Sequence, residues 1–231
     1  MGRMSIAERL EAVRVRLRQA AEKAGRDPSL VTLVAVSKTR PAEEVKEALA
    51  AGQRDFGENY AQELRDKADL CGPLPTWHFI GSLQRNKVKY VVGRATLVHD
   101  VDNLALAEEI SKRSFPRQTG VLIGVNIGRE AQKSGWMPEQ VLEVAPLVAA
   151  LPGLSLQGLM CIPPPTENPE DAAPYFEELA ALAAAGRAKG LPLTQLSMGM
   201  SHDFEVAIRY GATLVRVGTA IFGARSYPPK A

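Results

Sequence analysis

The chain has 231 residues, of which 45% are hydrophobic and 23% are charged, a composition typical of a globular protein with one sizeable core. The formal net charge of +2 is too small to indicate nucleic acid or a membrane surface as a partner. The longest apolar stretches have the length of strands, so we expect no membrane span. Cys71 and Cys161 lack any metal-binding or redox spacing and, without a signal peptide, fit a reducing cytoplasm.

The first predicted element is a helix. Ser5 and Glu8 have the spacing of a capping box, and Gly25 and Pro28 end the helical pattern. Apolar residues recur at helical spacing between them, at Ile6, Leu10, Val13 and Leu17. The chain therefore begins with an amphipathic helix.

A regular alternation follows, in which short apolar runs are each succeeded by a polar or glycine-rich turn and an amphipathic helix. The predicted strands are Leu30–Val36, Arg54–Phe56, Trp77–Ile80, Ala95–His99, Val121–Asn126, Leu154–Met160, Gln195–Ser197 and Leu214–Val217. Near-continuous hydrophobicity is typical of parallel strands buried on both faces. Eight βα units favour a closed (β/α)8 TIM barrel, here an α/β fold with an extra N-terminal helix. The alternative, an open doubly wound sheet, would carry a GxGxxG after its first strand, and none is present. We expect residues 1–231 to form one domain.

Functional residues of such a barrel lie at the C-terminal ends of its strands. Lys38 lies two residues after the first predicted strand, which places an amine beside apolar walls. Desolvation lowers the pKa of a lysine and frees its amine to attack a carbonyl. On position alone, Lys38 also fits a lysine that extends into solvent from a strand end.

The loops after strands 7 and 8 of such barrels commonly bind phosphate. Strand 7 runs into Ser197-Met-Gly-Met-Ser201, where Ser201 is predicted as the N-cap of the next helix. Gly218 and Thr219 open a short final helix. Two helix N-termini and two hydroxyls predict a phosphate site. The alternative is that Ser201 and Thr219 only cap helices.

Arg216 interrupts an apolar strand, where a guanidinium needs a partner because it stays charged. The partner is either a neighbouring carboxylate or a ligand at the mouth of the barrel. An amine at Lys38, a phosphate site and an arginine together predict a site for pyridoxal 5′-phosphate (PLP), with a Schiff base, a phosphate anchor and a partner for the pyridine nitrogen. An arginine does not readily give up a proton, so it should leave that nitrogen unprotonated and the cofactor a weak electron sink.

Seven motifs closely resemble those of the YggS/PROSC-type PLP homeostasis proteins, also called PLP-binding proteins, whose fold is that of the alanine racemase N-terminal domain. The motifs are Ala35-Val-Ser-Lys-Thr39, Phe56-Gly-Glu-Asn-Tyr60, Trp77-His-Phe-Ile-Gly81 with Leu83-Gln84 and Asn86-Lys87, Lys133-Ser-Gly135, Gly158-Leu-Met160, Leu196-Ser-Met-Gly-Met-Ser201, and Val215-Arg-Val-Gly-Thr-Ala-Ile-Phe-Gly223. The resemblance implies that Lys38 binds PLP covalently, that Arg216 meets the ring nitrogen and that Asn59 lies beside the ring. It assigns the phosphate to the backbone of Met200 and to Ser201, Gly218 and Thr219.

The resemblance leaves open whether the protein turns substrates over. Racemases of this fold add a β-domain with a tyrosine base, and only Ala224–Ala231 follow the last motif here. We therefore expect a monomeric, cytoplasmic PLP carrier without catalytic residues or a metal, whose partners are PLP and apo forms of PLP-dependent enzymes. The alternatives are a weak amino-acid racemase and an aldolase that binds its substrate's phosphate.

Overall fold

The structure is a computed structural model that describes residues 4–224, so residues 1–3 and 225–231 lie outside the described part of the chain. The first element is helix α1, Ile6–Lys23. Its capping box is confirmed, because the Ser5 hydroxyl accepts from the Glu8 N–H and the Glu8 carboxylate accepts from the Ser5 N–H at 2.7 Å. The predicted apolar stripe of α1 is buried, and the helix packs against the last two helices of the fold.

Eight strands then alternate with eight helices. The strands are β1 Thr32–Val36, β2 Asp55–Glu58, β3 Thr76–Phe79, β4 Ala95–Val101, β5 Thr119–Val125, β6 Leu154–Cys161, β7 Gln195–Met200 and β8 Leu214–Val217. The helices are α2 Ala42–Ala50, α3 Ala61–Cys71, α4 Val88–Val91, α5 Leu104–Ser114, α6 Val141–Ala149, α7 Ala173–Ala188, α8 Phe204–Arg209 and α9 Thr219–Phe222. Short 3-10 turns cover Pro28–Leu30, Arg85–Lys87, Pro138–Gln140 and Pro169–Ala172.

The strands pair in chain order and the sheet closes on itself, which confirms the predicted TIM barrel with an additional N-terminal helix. All neighbouring strands are parallel, and β8 pairs with β1 to complete the ring. Val34 of β1 lies opposite Arg216 of β8 in this last pairing. The first and last strands are therefore neighbours, and residues far apart in sequence meet at their ends.

The apolar side chains inside the barrel form a cluster separate from the main core, which lies between the strands and the helices. This small cluster comprises Val34, Leu97, Leu122, Met160 and Leu214. Because side chains alternate along a strand, residues two positions from this cluster share its face. His99 stands two residues after Leu97, and Arg216 two after Leu214. The inward face thus becomes polar towards the C-terminal ends of the strands.

Helix α8 packs directly on the end of β7, and Gly199 makes this possible. Gly199 has φ +90°, and a Cβ there would lie 2.6 Å from the Cβ of Ala207. A side chain at this position would meet both a steric clash and an unfavourable backbone conformation. Within residues 4–224, no helix is long and apolar enough to cross a membrane.

Candidate functional site at the C-terminal end of the barrel

The predicted site residues lie on four strands that are consecutive around the closed barrel, β7, β8, β1 and β2. Each lies within its strand or no more than two residues after it, and they are Met200, Ser201, Arg216, Gly218, Thr219, Lys38 and Asn59. The fold therefore brings together two groups of residues that are more than a hundred positions apart in sequence.

Lys38 follows β1 in a tight turn, in which the Arg40 N–H donates to the Ser37 carbonyl. The Lys38 side chain is partly buried, and the next residue, Thr39, has φ +63°. The Thr39 N–H donates to a carboxylate oxygen of Glu63 at 2.6 Å. The turn that carries the amine is thus fixed by contacts from helix α3.

A buried ionic cluster lies against this turn. Lys67 of α3 is 4% exposed, and its Nζ donates to the Ser37 carbonyl, Glu58 and Glu63 at 2.6–2.7 Å. The Ser37 hydroxyl also donates to Glu58. We call Ser37, Glu58, Glu63 and Lys67 the Lys67 cluster. It joins the ends of β1 and β2 to helix α3, directly beside Lys38.

Burial raises the pKa of Glu58 to about 7, although Lys67 and Ser37 oppose the shift. Glu58 is fully buried and Glu63 is a second carboxylate for the same ammonium. Since Lys67 has two carboxylate partners, it keeps one when Glu58 is protonated. The sequence contains Glu58 within the Phe56–Tyr60 motif, whereas nothing in the sequence singled out Lys67.

Asn59 directly follows β2, and its backbone is in close contact with the end of β3. A Cβ on Gly81 would lie 2.3 Å from the Asn59 carbonyl oxygen, a distance that no side chain can occupy. The glycine at the end of the Trp77–Gly81 motif is thereby explained, because it lets the two strand ends approach. Asn59 also lines a cavity of about 370 Å³ with Phe79 and Lys87.

Arg216 is 4% exposed, and its contacts are with neutral groups. Nη1 donates to the Ser197 hydroxyl at 2.5 Å, and Nη2 donates to the Cys161 carbonyl at 2.9 Å. Among the residues that the structure describes, no carboxylate forms an ion pair with this guanidinium. Burial lowers the pKa of Arg216, and the charges of neighbouring groups oppose this. The sequence alternative, a direct structural ion pair, is wrong.

The ends of β7 and β8 are joined by a hydrogen bond, since the Gly218 N–H donates to the Ser201 hydroxyl at 3.2 Å. The prediction that Ser201 is the N-cap of the next helix is wrong. Helix α8 has Asp203 as its N-cap residue, and the Asp203 carboxylate accepts from the Met200 N–H at 2.6 Å. The Ser201 hydroxyl therefore does not cap α8 and instead accepts the hydrogen bond from Gly218, directly after β8. Thr219 opens α9 as predicted and is exposed.

The residues of this site fit PLP by the chemistry of their donors. A phosphate needs hydroxyl and N–H donors, which the hydroxyls of Ser201 and Thr219 and the N–H groups at the start of α9 supply. A Cβ on Gly218 would lie 3.3 Å from the Val36 carbonyl oxygen, so a glycine lets this backbone lie close to the end of β1. Arg216 is a buried cation with neutral protein partners, and it retains donors for an electron-rich ligand atom.

Asp100, at the C-terminal half of β4, is a further titratable group at this end of the barrel. Burial raises the pKa of its carboxyl to about 7, and the charge of Asp102 adds to the effect. It lies over Gly124, where a Cβ would overlap its carboxylate oxygen. It also lines a cavity of about 330 Å³ with Asn126, Lys133 and Met160. Asp100 directly follows the predicted strand Ala95–His99, but the sequence indicated no role for it.

Comparisons with known proteins agree with this geometry. A model of the alanine racemase N-terminal domain family matches residues 9–226. The pyridoxal phosphate homeostasis protein of Aquifex aeolicus is 46% identical over 228 residues, which are 97% of this chain and 100% of that protein. The structure of PipY from Synechococcus elongatus with PLP bound is 36% identical, with a TM-score of 0.81, and the match covers 95% of this chain and 100% of that one.

Alanine racemase from Corynebacterium glutamicum shares the fold at 19% identity and a TM-score of 0.69, over 93% of this chain and 61% of that one. The barrel and its site thus define a protein of the alanine racemase N-terminal domain class. Within that class, the chain belongs to the family of pyridoxal phosphate homeostasis proteins.

Proposed function

We propose that the chain binds PLP at the C-terminal end of the barrel and holds it as a Schiff base on Lys38. The Schiff base forms when the neutral amine condenses with the aldehyde and one water is released. Arg216 is the partner of the ring nitrogen, and Asn59 lies beside the ring. The phosphate is held by Ser201, Gly218 and Thr219 and by the backbone of Met200, whose N–H exchanges the Asp203 carboxylate for the phosphate when PLP binds. The observation that carries the proposal is the buried Arg216 guanidinium, which has neutral protein partners and lies in a strand adjacent to that of Lys38.

We propose further that the protein stores and delivers PLP within vitamin B6 and amino-acid balance, and has no robust catalytic cycle of its own. An arginine leaves the ring nitrogen unprotonated, which makes bound PLP a weak electron sink. The Aquifex relative is named a homeostasis protein, which supports this role. The proposal includes a single domain over residues 1–231, a monomeric state, a cytoplasmic location and apo forms of PLP-dependent enzymes as recipients.

The test is spectroscopic. The purified protein mixed with PLP should be yellow, borohydride should bleach it, and the added mass should lie on Lys38. Lys38→Ala should abolish the modified peptide, whereas Lys46→Ala, at an exposed position on α2, should leave it unchanged. A colourless protein that instead traps a sugar phosphate on Lys38 supports the aldolase alternative and rejects the proposal.

A weak racemase is the second candidate, and Asp100 is the observation that favours it. A carboxyl with a pKa of about 7 at the mouth of the barrel is able to exchange protons near neutral pH. Exchange of the Cα hydrogen of amino acids for deuterium measures this activity. We expect exchange far below enzymatic rates. Enzymatic rates that are lost in both Lys38→Ala and Asp100→Asn would replace the carrier assignment with the racemase.

A further inference from the structure

A continuous row of polar side chains, all buried except Asp55 at its far end, leads away from Arg216 through the barrel. Arg216 donates to the Ser197 hydroxyl, which lies 2.8 Å from Nδ1 of His99. Nε2 of His99 lies 2.9 Å from Nδ1 of His78. Nε2 of His78 lies 3.1 Å from a carboxylate oxygen of Asp55. We call Ser197, His99, His78 and Asp55 the histidine relay, which connects the candidate site to the beginning of β2.

With both rings neutral, the chemistry of the two ends fixes the direction of every hydrogen bond in the relay. A guanidinium only donates and an ionised carboxylate only accepts. Ser197 accepts from Arg216 and therefore gives its own proton to Nδ1 of His99. His99 then donates from Nε2 to His78, and His78 donates from Nε2 to Asp55. Both imidazoles are neutral and protonated at Nε2 in this arrangement, and each polar atom along the row is satisfied.

The burial of the relay agrees with neutral imidazoles. His99 and Ser197 are fully buried and His78 is 5% exposed. Burial lowers the pKa of His99 well below its usual value, and the charge of Arg216 adds to this. The opposite direction would make Ser197 accept from both Arg216 and His99, and its own proton would then lack this partner. The one-way arrangement is therefore the stable one.

We infer that the histidine relay positions Arg216 for the ring of PLP, an inference that rests on the proposed function. Ser197 and the Cys161 carbonyl each hold one terminal nitrogen of the guanidinium, which fixes its plane. His99 fixes Ser197 in turn, and His78 and Asp55 fix the tautomer of His99. The relay residues do not contact the cofactor in this arrangement. They act through Arg216, so they are positioning residues and not catalytic ones.

The wild-type protein tests the relay without any substitution. The chain has three histidines, and exposed His202 serves as a reference for the ring signals of His78 and His99. ¹⁵N NMR of the PLP-free protein should show His78 and His99 as neutral, Nε2-protonated tautomers. Addition of PLP should shift the ring signals of His99. A His99 ring protonated at Nδ1 would overturn the inference, and so would His99 ring signals that do not shift when PLP binds.

Ser197→Ala tests the action on Arg216, with Ser114→Ala as a matched control. Ser114 is a buried serine on α5 that is hydrogen-bonded to Ile110 and Thr119, away from the site. Loss of one hydrogen bond to a charged group should weaken PLP binding roughly 10-fold in Ser197→Ala. It should also shift the absorbance maximum of bound PLP, which a loss of stability alone does not do. Ser114→Ala should change neither.

These outcomes separate the two proposals. A wild-type protein that binds no PLP rejects the proposed function, while the tautomers of the PLP-free protein still report on the relay. Normal affinity and an unchanged spectrum in a folded Ser197→Ala protein reject the positioning role and leave the proposed function in place. If Ser197→Ala does not fold, the positioning role is tested by the wild-type protein alone. A shift of the His99 ring signals on addition of PLP supports that role, and no shift rejects it.

Discussion

The two sides of the candidate site are supported by buried polar networks of opposite character. The Lys67 cluster beside Lys38 contains an ammonium and two carboxylates within 2.7 Å of it. The histidine relay beside Arg216 contains two neutral rings and a hydroxyl, and its carboxylate lies four hydrogen bonds from the guanidinium. In the Lys67 cluster, the ammonium is paired directly with carboxylates. In the histidine relay, neutral groups form a chain of hydrogen bonds from the Arg216 guanidinium to the carboxylate of Asp55.

The difference predicts opposite responses to pH. Glu58 has a raised pKa, so the folded state binds a proton that the unfolded state releases, and stability falls as pH rises. His99 has a lowered pKa, so the unfolded state binds the proton first, and stability falls as pH decreases. The lysine side of the site is therefore the one sensitive to base, and the arginine side the one sensitive to acid.

The largest expected effect is that of Lys67→Met, which removes the only cation of the Lys67 cluster. Breaking a buried pair by removing one partner costs about 3–5 kcal/mol, because an uncompensated charge stays buried. Urea denaturation at neutral pH should show this loss in the free energy of unfolding. Lys46→Met, on the exposed face of α2, should change it by less than about 0.5 kcal/mol. Equal costs at the two positions would mean that the cluster contributes nothing.

Glu58→Gln should change the pH dependence of stability on the lysine side. Glu58 titrates at its usual 4.5 in the unfolded chain and at about 7 in the folded one. Wild type should therefore lose on the order of 3 kcal/mol relative to the variant as pH rises across that window. Asp100 also has a raised pKa, but it is present in both proteins and cancels in the difference. A difference that stays constant from pH 4 to 8 contradicts the assignment.

His99→Gln should change the slope on the acid side. Below pH 6.5 wild type should lose about 1.4 kcal/mol for each pH unit through this group, because unfolded His99 takes up a proton that the folded ring does not. The variant lacks that contribution, so its stability should fall less steeply with acid even if it is lower throughout. Thermal or urea unfolding between pH 4.5 and 7.5 measures both slopes. Parallel curves would show that His99 is protonated in the folded protein.

The fold was predictable because its signals are local. Most of the strands carry an apolar run, and all eight predicted segments form strands, with the bounds of the last one matching at Leu214–Val217. Strand ends were less predictable, because pairing with a neighbour decides them. Strand β5 begins two residues before the predicted Val121, where Thr119 pairs with Leu154 of β6. A single apolar run does not contain that information.

The networks beside the site were beyond sequence reasoning for physical reasons. In strands buried on both faces, hydrophobic alternation does not tell which residues point into the barrel, so His78 and Asp55 carried no signal. Ser201 was expected to cap its own helix, but its hydroxyl accepts from the Gly218 N–H directly after the next strand, a partner that only strand pairing provides. Lys67 was not predicted to be buried, because lysine side chains are usually exposed.

Asp55→Asn should have the smallest effect and shows how the relay ends. The amide oxygen of asparagine still accepts from Nε2 of His78, so the direction of every hydrogen bond is kept. The side chain of Asp55 is 29% exposed, so solvent screens the charge that is lost. We expect less than about 1 kcal/mol in the free energy of unfolding and unchanged tautomers, similar to Asp66→Asn on the surface of α3. A loss of several kcal/mol would mean that the relay depends on the charge of Asp55, and that His78 is held as a cation beside it. The arginine side would then resemble the Lys67 cluster, with direct ion pairing in place of a neutral row.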